Sequence, residues 1–122
     1  MKIVSWNVRG LGKLRAVRRL RSKIRSIRPH VLFLMETKVS DLRMKRIRQR
    51  CGFINGIEVA ADGTRGGLSL SWTHDVNINL ISFSSSHIDV HITDLDSANT
   101  WRFTGFYGSP ITSQRSHSWN FL

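Results

Sequence analysis

The chain has 122 residues, a net charge of +11, 40% hydrophobic residues and only two prolines, which suits one folded domain at most and excludes a disordered chain. The single cysteine, Cys51, excludes an internal disulfide and is expected to be a small core residue. The longest apolar run, residues 31–35, is far shorter than the roughly 20 residues of a membrane-spanning helix. No signal-peptide pattern opens the chain, so we expect a soluble, intracellular protein without a membrane partner.

The basic residues are concentrated in the first half of the chain. Residues 1–51 hold 16 Lys or Arg against two acidic residues, a net charge of +14, whereas residues 52–122 hold three against six, a net charge of −3. A basic half is typical of a protein that binds a polyanion. Two solvated, arginine-rich helix faces would give the same pattern, and the charge alone does not separate these interpretations.

The first half of the chain alternates between strand and helix patterns. Apolar residues at three- and four-residue spacing indicate an amphipathic helix, which Pro29 ends. A continuous apolar run indicates a strand that is buried on both faces. Ser40 is the predicted N-cap of a second helix, which Gly52 ends. The predicted elements are strands over 2–6 and 31–36 and helices over 13–28 and 40–50.

The second half reads as consecutive strands separated by turn residues. The order strand, helix, strand, helix and then strands predicts an α/β fold, with both helices on the outer side of one mixed sheet. We expect the other face of that sheet to lack a partner sheet. A last helix begins within 113–122 and stops, which indicates a domain truncated at its carboxyl-terminal side. The predicted strands are 53–59, 68–72, 76–83, 87–95 and 101–107, and the face expected to be unpartnered includes Leu68, Leu70, Trp72, Trp101 and Phe103.

Three predicted strands end on residues that a metal ion or a phosphate group requires. Asn7 follows the first strand, Glu36 the second, and Tyr107 the last. Ligand sites in α/β sheets form where the carboxyl ends of strands meet, so we expect these side chains to share one site. Glu36 is the kind of ligand that Mg²⁺ takes, Asn7 can orient it or coordinate weakly, and Tyr107 can donate to a phosphoryl oxygen.

Three other motifs favour structural interpretations. Residues 18–21 (RRLR) could form a nuclear localisation signal, but the leucine and isoleucine spacing favours an amphipathic helix. His87, Asp89 and His91 share a strand face, and a solvent-facing strand explains them better than a metal site because the two histidines lie about 13 Å apart. Residues 65–67 (RGG) are isolated, which favours a turn over an RNA-binding motif.

The motifs at the three strand ends, in order and spacing, resemble those of the endonuclease/exonuclease/phosphatase superfamily: residues 3–10 (IVSWNVRG), 29–37 (PHVLFLMET) and 104–108 (TGFYG). Within it, WNVRGL at the first motif and YGSP at the third, followed by Arg115 and Trp119, resemble the endonuclease domains of plant LINE-type retrotransposons. The resemblance implies the amino-terminal half of a four-layer α/β sandwich, a partial domain over 1–122. It also implies that Glu36 ligates Mg²⁺ or Mn²⁺, with Asn7 as an active-site amide near the metal and Tyr107 as a phosphate contact.

The sequence also departs from the family pattern. Arg9 stands where members with apurinic-site activity often carry Asp, which weakens a two-metal assignment, and His30 replaces another frequent Asp. The later Asp-x-Asn motif and the carboxyl-terminal Asp-His pair of the family are absent from the sequence. Those residues orient the attacking water and remove its proton, so the resemblance implies a catalytically incomplete chain.

Three functions remain open at this point. The first is a fragment of a Mg²⁺-dependent, DNA-nicking phosphodiesterase of the retrotransposon type, which would work in the nucleus. Its partner would be DNA, with RNA as the alternative, bound through the basic residues of 13–50. The second is the phosphomonoesterase or phospholipase branch of the same superfamily. The third is a basic nucleic-acid-binding fragment without enzymatic activity. No obligate protein partner can be inferred.

Overall fold

The computed structural model describes residues 1–107, and their strands and helices follow the predicted order. Each predicted element is confirmed with bounds that differ by at most two residues at either end. The helix predicted to begin within 113–122 lies outside the described residues. The elements are β1 (Ile3–Asn7), α1 (Leu14–Ile27), β2 (Val31–Met35), α2 (Asp41–Arg50), β3 (Asn55–Val59), β4 (Leu68–Trp72), β5 (Val76–Phe83), β6 (His87–Asp94) and β7 (Thr100–Phe106).

Helix α1 forms for the reasons that its sequence suggests. Val17 and Leu20 of the apolar stripe are buried, whereas Leu14 at its start is half exposed. The helix ends at Arg28, whose left-handed backbone (φ 53°) lets its N–H donate to the carbonyl of Ile24, and Pro29 follows. The arginines therefore lie on faces that the apolar stripe leaves to solvent.

Helix α2 is capped as predicted. The hydroxyl of Ser40 accepts a hydrogen bond from the Arg43 N–H at 3.2 Å. Asp41 in the first turn and arginines in the last turn match the helix dipole. Gly52 carries the chain out of the helix at φ 93°, a conformation that glycine adopts without strain.

The first four strands form a mixed sheet in the order β1-β2-β4-β3. Strand β1 runs parallel to β2, and the remaining pairs are antiparallel. All five residues of β2 are buried because the helices cover one face and a second sheet covers the other. An apolar layer between this sheet and the helices consists of Leu11, Val17, Leu20, Leu32, Leu34, Val39, Met44, Ile47 and Phe53.

The expectation of a single sheet with one unpartnered face is wrong. Strands β5, β6 and β7 form a separate antiparallel sheet that packs on the face of β2 and β4 opposite the helices. Leu68, Leu70 and Phe103 are fully buried, and Trp72 is partly buried, while Trp101 remains 36% exposed. The alternation of Ile88, Val90 and Ile92 supplies the second apolar face, so the described residues already form three layers: helices, mixed sheet and antiparallel sheet.

Two aromatic rings join the sheets at their centre. Phe33 of β2 and Phe103 of β7 meet edge to face, with ring centroids 5.9 Å apart. Gly105 leaves room for this arrangement, since a Cβ atom there would lie 2.6 Å from the Phe33 ring. The close approach holds the end of β7 beside the end of β2, where Glu36 follows.

Two further expectations concern Cys51 and membranes. Burial raises the pKa of the half-buried Cys51 thiol to about 11, so the thiol stays protonated at neutral pH, as expected of a packing residue. Neither helix within residues 1–107 has the length and apolar character needed to cross a membrane.

Candidate functional site

The parallel pairing of β1 and β2 brings Asn7 and Glu36 together. Asn7 pairs with Met35 in the sheet register, so both strands end at the same edge. The Asn7 amide nitrogen donates to Oε2 of Glu36 at 2.8 Å. The predicted proximity of these two side chains is therefore observed as a direct hydrogen bond.

A backbone group fixes which way the Asn7 amide points. The N–H of Arg9 donates to the Asn7 amide oxygen at 3.0 Å. Since a backbone N–H only donates, the oxygen must face Arg9 and the NH₂ must face Glu36. Asn7 thus orients the carboxylate, and its oxygen is already engaged.

The loops around this pair adopt a backbone conformation that is unusual for residues with side chains. Arg9, Glu36 and Lys38 all have positive φ angles, of 53°, 60° and 57°. Backbone hydrogen bonds hold them there: Gly10 N–H to the Glu36 carbonyl at 2.8 Å, Leu11 N–H to the Thr37 carbonyl at 2.9 Å and Lys38 N–H to the Gly66 carbonyl at 2.8 Å. Strained residues that the surroundings hold in place cluster at functional sites, which supports a functional role for this edge.

Glu36 is held in its ionised form. The pKa of the Glu36 carboxyl lies below its ordinary value, chiefly because Asn7 donates a hydrogen bond to it. Hydrogen bonds from Lys38 and Tyr107 lower this pKa further, against the opposing effect of partial burial. The Lys38 ammonium lies 3.2 Å from Oε1 of Glu36.

Tyr107 reaches the same site from the second sheet. It follows β7, and its N–H donates to the Ser86 carbonyl at 2.7 Å. Its hydroxyl donates a hydrogen bond to the Glu36 carboxyl, and both side chains line one cavity of about 470 Å³. The structure therefore brings together all three residues that the sequence singled out.

The cavity is also lined by residues that the strand-end pattern does not indicate. Lys38 lies two positions beyond Glu36, and residues 64–67, which include the predicted RGG turn, form one wall. A Cβ atom on Gly67 would collide with the Thr37 hydroxyl, so this wall needs glycine. In the sequence, a lysine two residues after a strand-end carboxylate was the signal that could have indicated Lys38 as part of the site.

At this edge of the sheet, one carboxylate, that of Glu36, is placed to bind a cation. No group of three or more His, Cys, Asp or Glu side chains that could hold a metal ion occurs in residues 1–107. Mg²⁺ in phosphate-processing sites is often held by one or two carboxylates, with waters and substrate oxygens completing its shell. Glu36 meets that minimum requirement, and Asn7 turns its NH₂ group to Glu36 and its oxygen to the Arg9 N–H.

The His-Asp-His set on β6 does not form a metal site. Arg102 donates two hydrogen bonds to Asp89, at 3.1 and 2.6 Å, and Thr104 donates a third at 3.0 Å. Asp89 is only 5% exposed, so the expectation that this whole strand face is solvated is wrong at that residue. His91 is exposed, whereas His87 stacks on Phe106.

The basic residues of the first half have separate roles. Arg48 is buried, forms an ion pair with Glu58 at 3.4 Å and donates to the Ile54 carbonyl. Arg43 donates to the Gly12 carbonyl at 2.6 Å, which ties α2 to the loop after β1. Others lie beside the candidate site: Arg9, Lys13, Arg15, Arg19, Lys23 and Lys38.

The sequence matches one family model, described as the Endonuclease/Exonuclease/phosphatase family, over residues 4–121. The comparison of this sequence with curated proteins found no match.

Solved structures share the fold. The chain is similar to an AP endonuclease, LMAP, from Leishmania major, with a TM-score of 0.62 and 15% identity, covering 98% of this chain and 45% of that one. It is similar to TDP2 from Caenorhabditis elegans (TM-score 0.59, 15% identity, 96% and 38% covered) and to a humanized D. rerio TDP2 (TM-score 0.60, 21% identity, 94% and 54% covered). The chain thus spans about half the length of these proteins or less.

Proposed function

Because the chain belongs to the endonuclease/exonuclease/phosphatase family, we propose that it is part of a Mg²⁺-dependent phosphodiesterase domain that nicks DNA. The observation that carries this proposal is the convergence of Asn7, Glu36 and Tyr107 on one edge, with Glu36 held ionised by its neighbours. The retrotransposon type is proposed from the WNVRGL and YGSP motifs. The activity of such an element on chromosomal DNA would place it in the nucleus.

Each of the three residues has a proposed task. Glu36 would hold Mg²⁺ or Mn²⁺, which when bound neutralises charge on a phosphate and lowers the pKa of a coordinated water. Asn7 keeps the carboxylate aimed into the cavity, since its own orientation is fixed by Arg9. The Tyr107 hydroxyl, which donates to Glu36 in this structure, would turn to donate a hydrogen bond to a phosphoryl oxygen of the substrate as charge develops there.

The described residues bring no histidine to the site as a base for the attacking water. Within residues 1–107, the carboxylates that line the depressions around Asn7 and Tyr107 are those of Glu36 and Asp62, and no histidine lines them. His87 lies among Ser82 and Ser84 on the outer sheet and bonds to both. We propose that 1–122 is the amino-terminal half of the domain and that the base belongs to the other half, in agreement with the share of the solved structures that it covers.

The proposal is tested by metal binding and by nicking of supercoiled plasmid. Mn²⁺ titration followed by electron paramagnetic resonance should show a site that Glu36→Gln abolishes and that Asp96→Asn, at an exposed loop carboxylate, leaves intact. Nicking by the chain alone should not exceed that of Glu36→Ala, since loss of general base catalysis costs about 10²–10⁴-fold. Equal Mn²⁺ binding by both variants would contradict the role of Glu36, and nicking that Glu36→Ala abolishes would contradict the incomplete site.

The non-enzymatic alternative is favoured by one observation, the net charge of +14 over residues 1–51. A binding fragment would retain DNA affinity that falls steeply with salt, through counterion release, and would not respond to Mn²⁺ or to Glu36→Gln. The Mn²⁺ titration therefore separates the alternatives, because only the phosphodiesterase fragment should show a Mn²⁺ site that depends on Glu36.

A further inference from the structure

A groove beside Asn7 lies between the loop after β1 and helix α1. Its volume is about 550 Å³, and Trp6 is among its lining residues. Trp6 is partly exposed, and the Nζ atom of Lys23 lies 4.0 Å from the centroid of its ring. An aromatic face beneath a long, flexible cationic side chain is a surface on which a flat ring can be inserted.

The groove continues to the candidate active site. A second depression shares Arg9, Gly10, Ala16 and Arg19 with it and extends to Lys38, whose ammonium contacts Glu36. Among residues 1–107, the walls of the combined groove carry six basic side chains and no acidic one: Arg9, Lys13, Arg15, Arg19, Lys23 and Lys38. A positively charged groove that leads to a phosphate-processing site suits the sugar–phosphate backbone of a nucleic acid.

The start of α1 adds positive potential to this groove. Lys13 occupies the N-cap position without a side-chain hydrogen bond, and the first turn holds no acidic residue. Cations at a helix N-terminus are unfavourable for the isolated helix because the dipole is positive there. An external anion would relieve this arrangement, and the groove passes along it.

We propose that this groove binds a single-stranded nucleic acid, with an unpaired base stacked on Trp6 and with Arg19 and Lys23 contacting the flanking phosphates. The inference rests on the proposed function only for the class of ligand. A stacking residue contacts the flat face of a base. This face is accessible in a single strand, whereas neighbouring base pairs cover it in a duplex. The groove thus favours a frayed or gapped strand leading to the Glu36 site.

Binding can be measured apart from catalysis. Fluorescence anisotropy in EDTA, with labelled oligothymidylate and a duplex of equal length, reports affinity without metal or cleavage. Trp6→Leu should weaken single-strand binding roughly tenfold, the typical contribution of one stacked base, and leave duplex binding unchanged. Arg19→Ser with Lys23→Ser should weaken binding and reduce the slope of log affinity against log salt by about 0.7 for each lost contact.

Matched variants keep the outcome interpretable. Trp6→Phe retains an aromatic face and should restore most of the single-strand affinity lost in Trp6→Leu, and unchanged duplex binding by Trp6→Leu shows that this variant is folded. Arg46→Ser with Arg50→Ser removes two charges from a different groove, between α1 and α2, and should spare the preference for single strands. Equal losses for single strand and duplex in Trp6→Leu, or no loss, would overturn the proposal. These results stand whether or not the protein nicks DNA, so failure of the proposed function is distinguishable.

Discussion

Lys38 and Glu36 form an ion pair inside the candidate site, with the ammonium 3.2 Å from Oε1. Both residues have left-handed backbone conformations, so the loop after β2 turns twice within three residues and directs both side chains to one cavity. The ammonium supplies positive charge beside the only carboxylate oxygen that Asn7 does not occupy. Lys38 is thus an internal counter-ion for Glu36.

Replacing Lys38 with Met should increase the affinity of the site for Mn²⁺. The ammonium competes with a divalent cation for Oε1, and its side chain is 40% exposed, so the ion pair is screened by solvent. Exposed pairs contribute about 0–1 kcal/mol, which corresponds to at most about a fivefold gain in affinity. Isothermal titration calorimetry measures the Mn²⁺ affinity. Lys45→Met, on the exposed side of α2, is the control and should leave this affinity unchanged. A weaker Mn²⁺ affinity in Lys38→Met would contradict the competition.

Asn7→Leu should raise the pKa of Glu36 towards its ordinary value, because the hydrogen bond from Asn7 is the main cause of its lowering. A lowered folded-state pKa stabilises the protein above the unfolded-state pKa, and this contribution is lost as pH falls through the folded-state pKa. The variant should therefore lose about 1 kcal/mol at neutral pH and approach the wild type in acid. Carbon-detected NMR of the glutamate carboxyl measures the pKa. Asn79→Leu, on the exposed outer face of the second sheet, should leave it unchanged.

The sequence was sufficient for the elements and for the positions of Asn7, Glu36 and Tyr107. Local patterns determine these features: the unbroken apolar run of β2, the Ser40 cap and the polar residue that ends each strand. The parallel pairing of β1 with β2 then places two of the three site residues side by side.

The division into two sheets could not be predicted from the same patterns. Leu68 and Leu70 alternate with serines that are also buried, so β4 reads like a strand with one apolar face although both faces are covered. A turn at Thr73 and Asp75 redirects the chain to the second sheet, and nothing in its sequence distinguishes it from a hairpin turn. The burial of Asp89 was missed because it depends on Arg102, thirteen residues away in an adjacent strand.

Stability should depend on pH through Asp89. Its pKa is lowered chiefly by hydrogen bonds from Arg102, with Thr104 adding to the effect. The resulting stabilisation is fully present above the unfolded-state pKa of about 3.9 and is lost as pH falls through the lower folded-state pKa. Asp89→Asn should therefore be less stable than the wild type at pH 7, and the difference should shrink in acid. Urea unfolding across this pH range tests it, with Asp96→Asn expected to show no such trend. A difference that stays constant with pH would contradict the assignment to Asp89.

Gly105→Ala should destabilise the contact between the two sheets. The added Cβ would lie 2.6 Å from the ring of Phe33, which is completely buried and meets Phe103 edge to face. The buried ring or the strand must shift to accommodate the Cβ atom, so we expect a loss of about 1–3 kcal/mol from overpacking. Thermal or urea unfolding measures the loss. Gly12→Ala is the matched control, because a Cβ atom there meets nothing within 4 Å.

A double variant tests whether the clash with the Phe33 ring causes this loss. Phe33→Leu removes the ring, so Gly105→Ala should cost less when it is combined with Phe33→Leu than when it is made alone, and the two substitutions should be non-additive. Because β7 leads directly to Tyr107, the single variant Gly105→Ala should also weaken the hydrogen bond from Tyr107 and raise the pKa of Glu36. Additive losses would contradict the clash with Phe33 as the cause, and an unchanged Glu36 pKa would show that the position of Tyr107 does not depend on this packing.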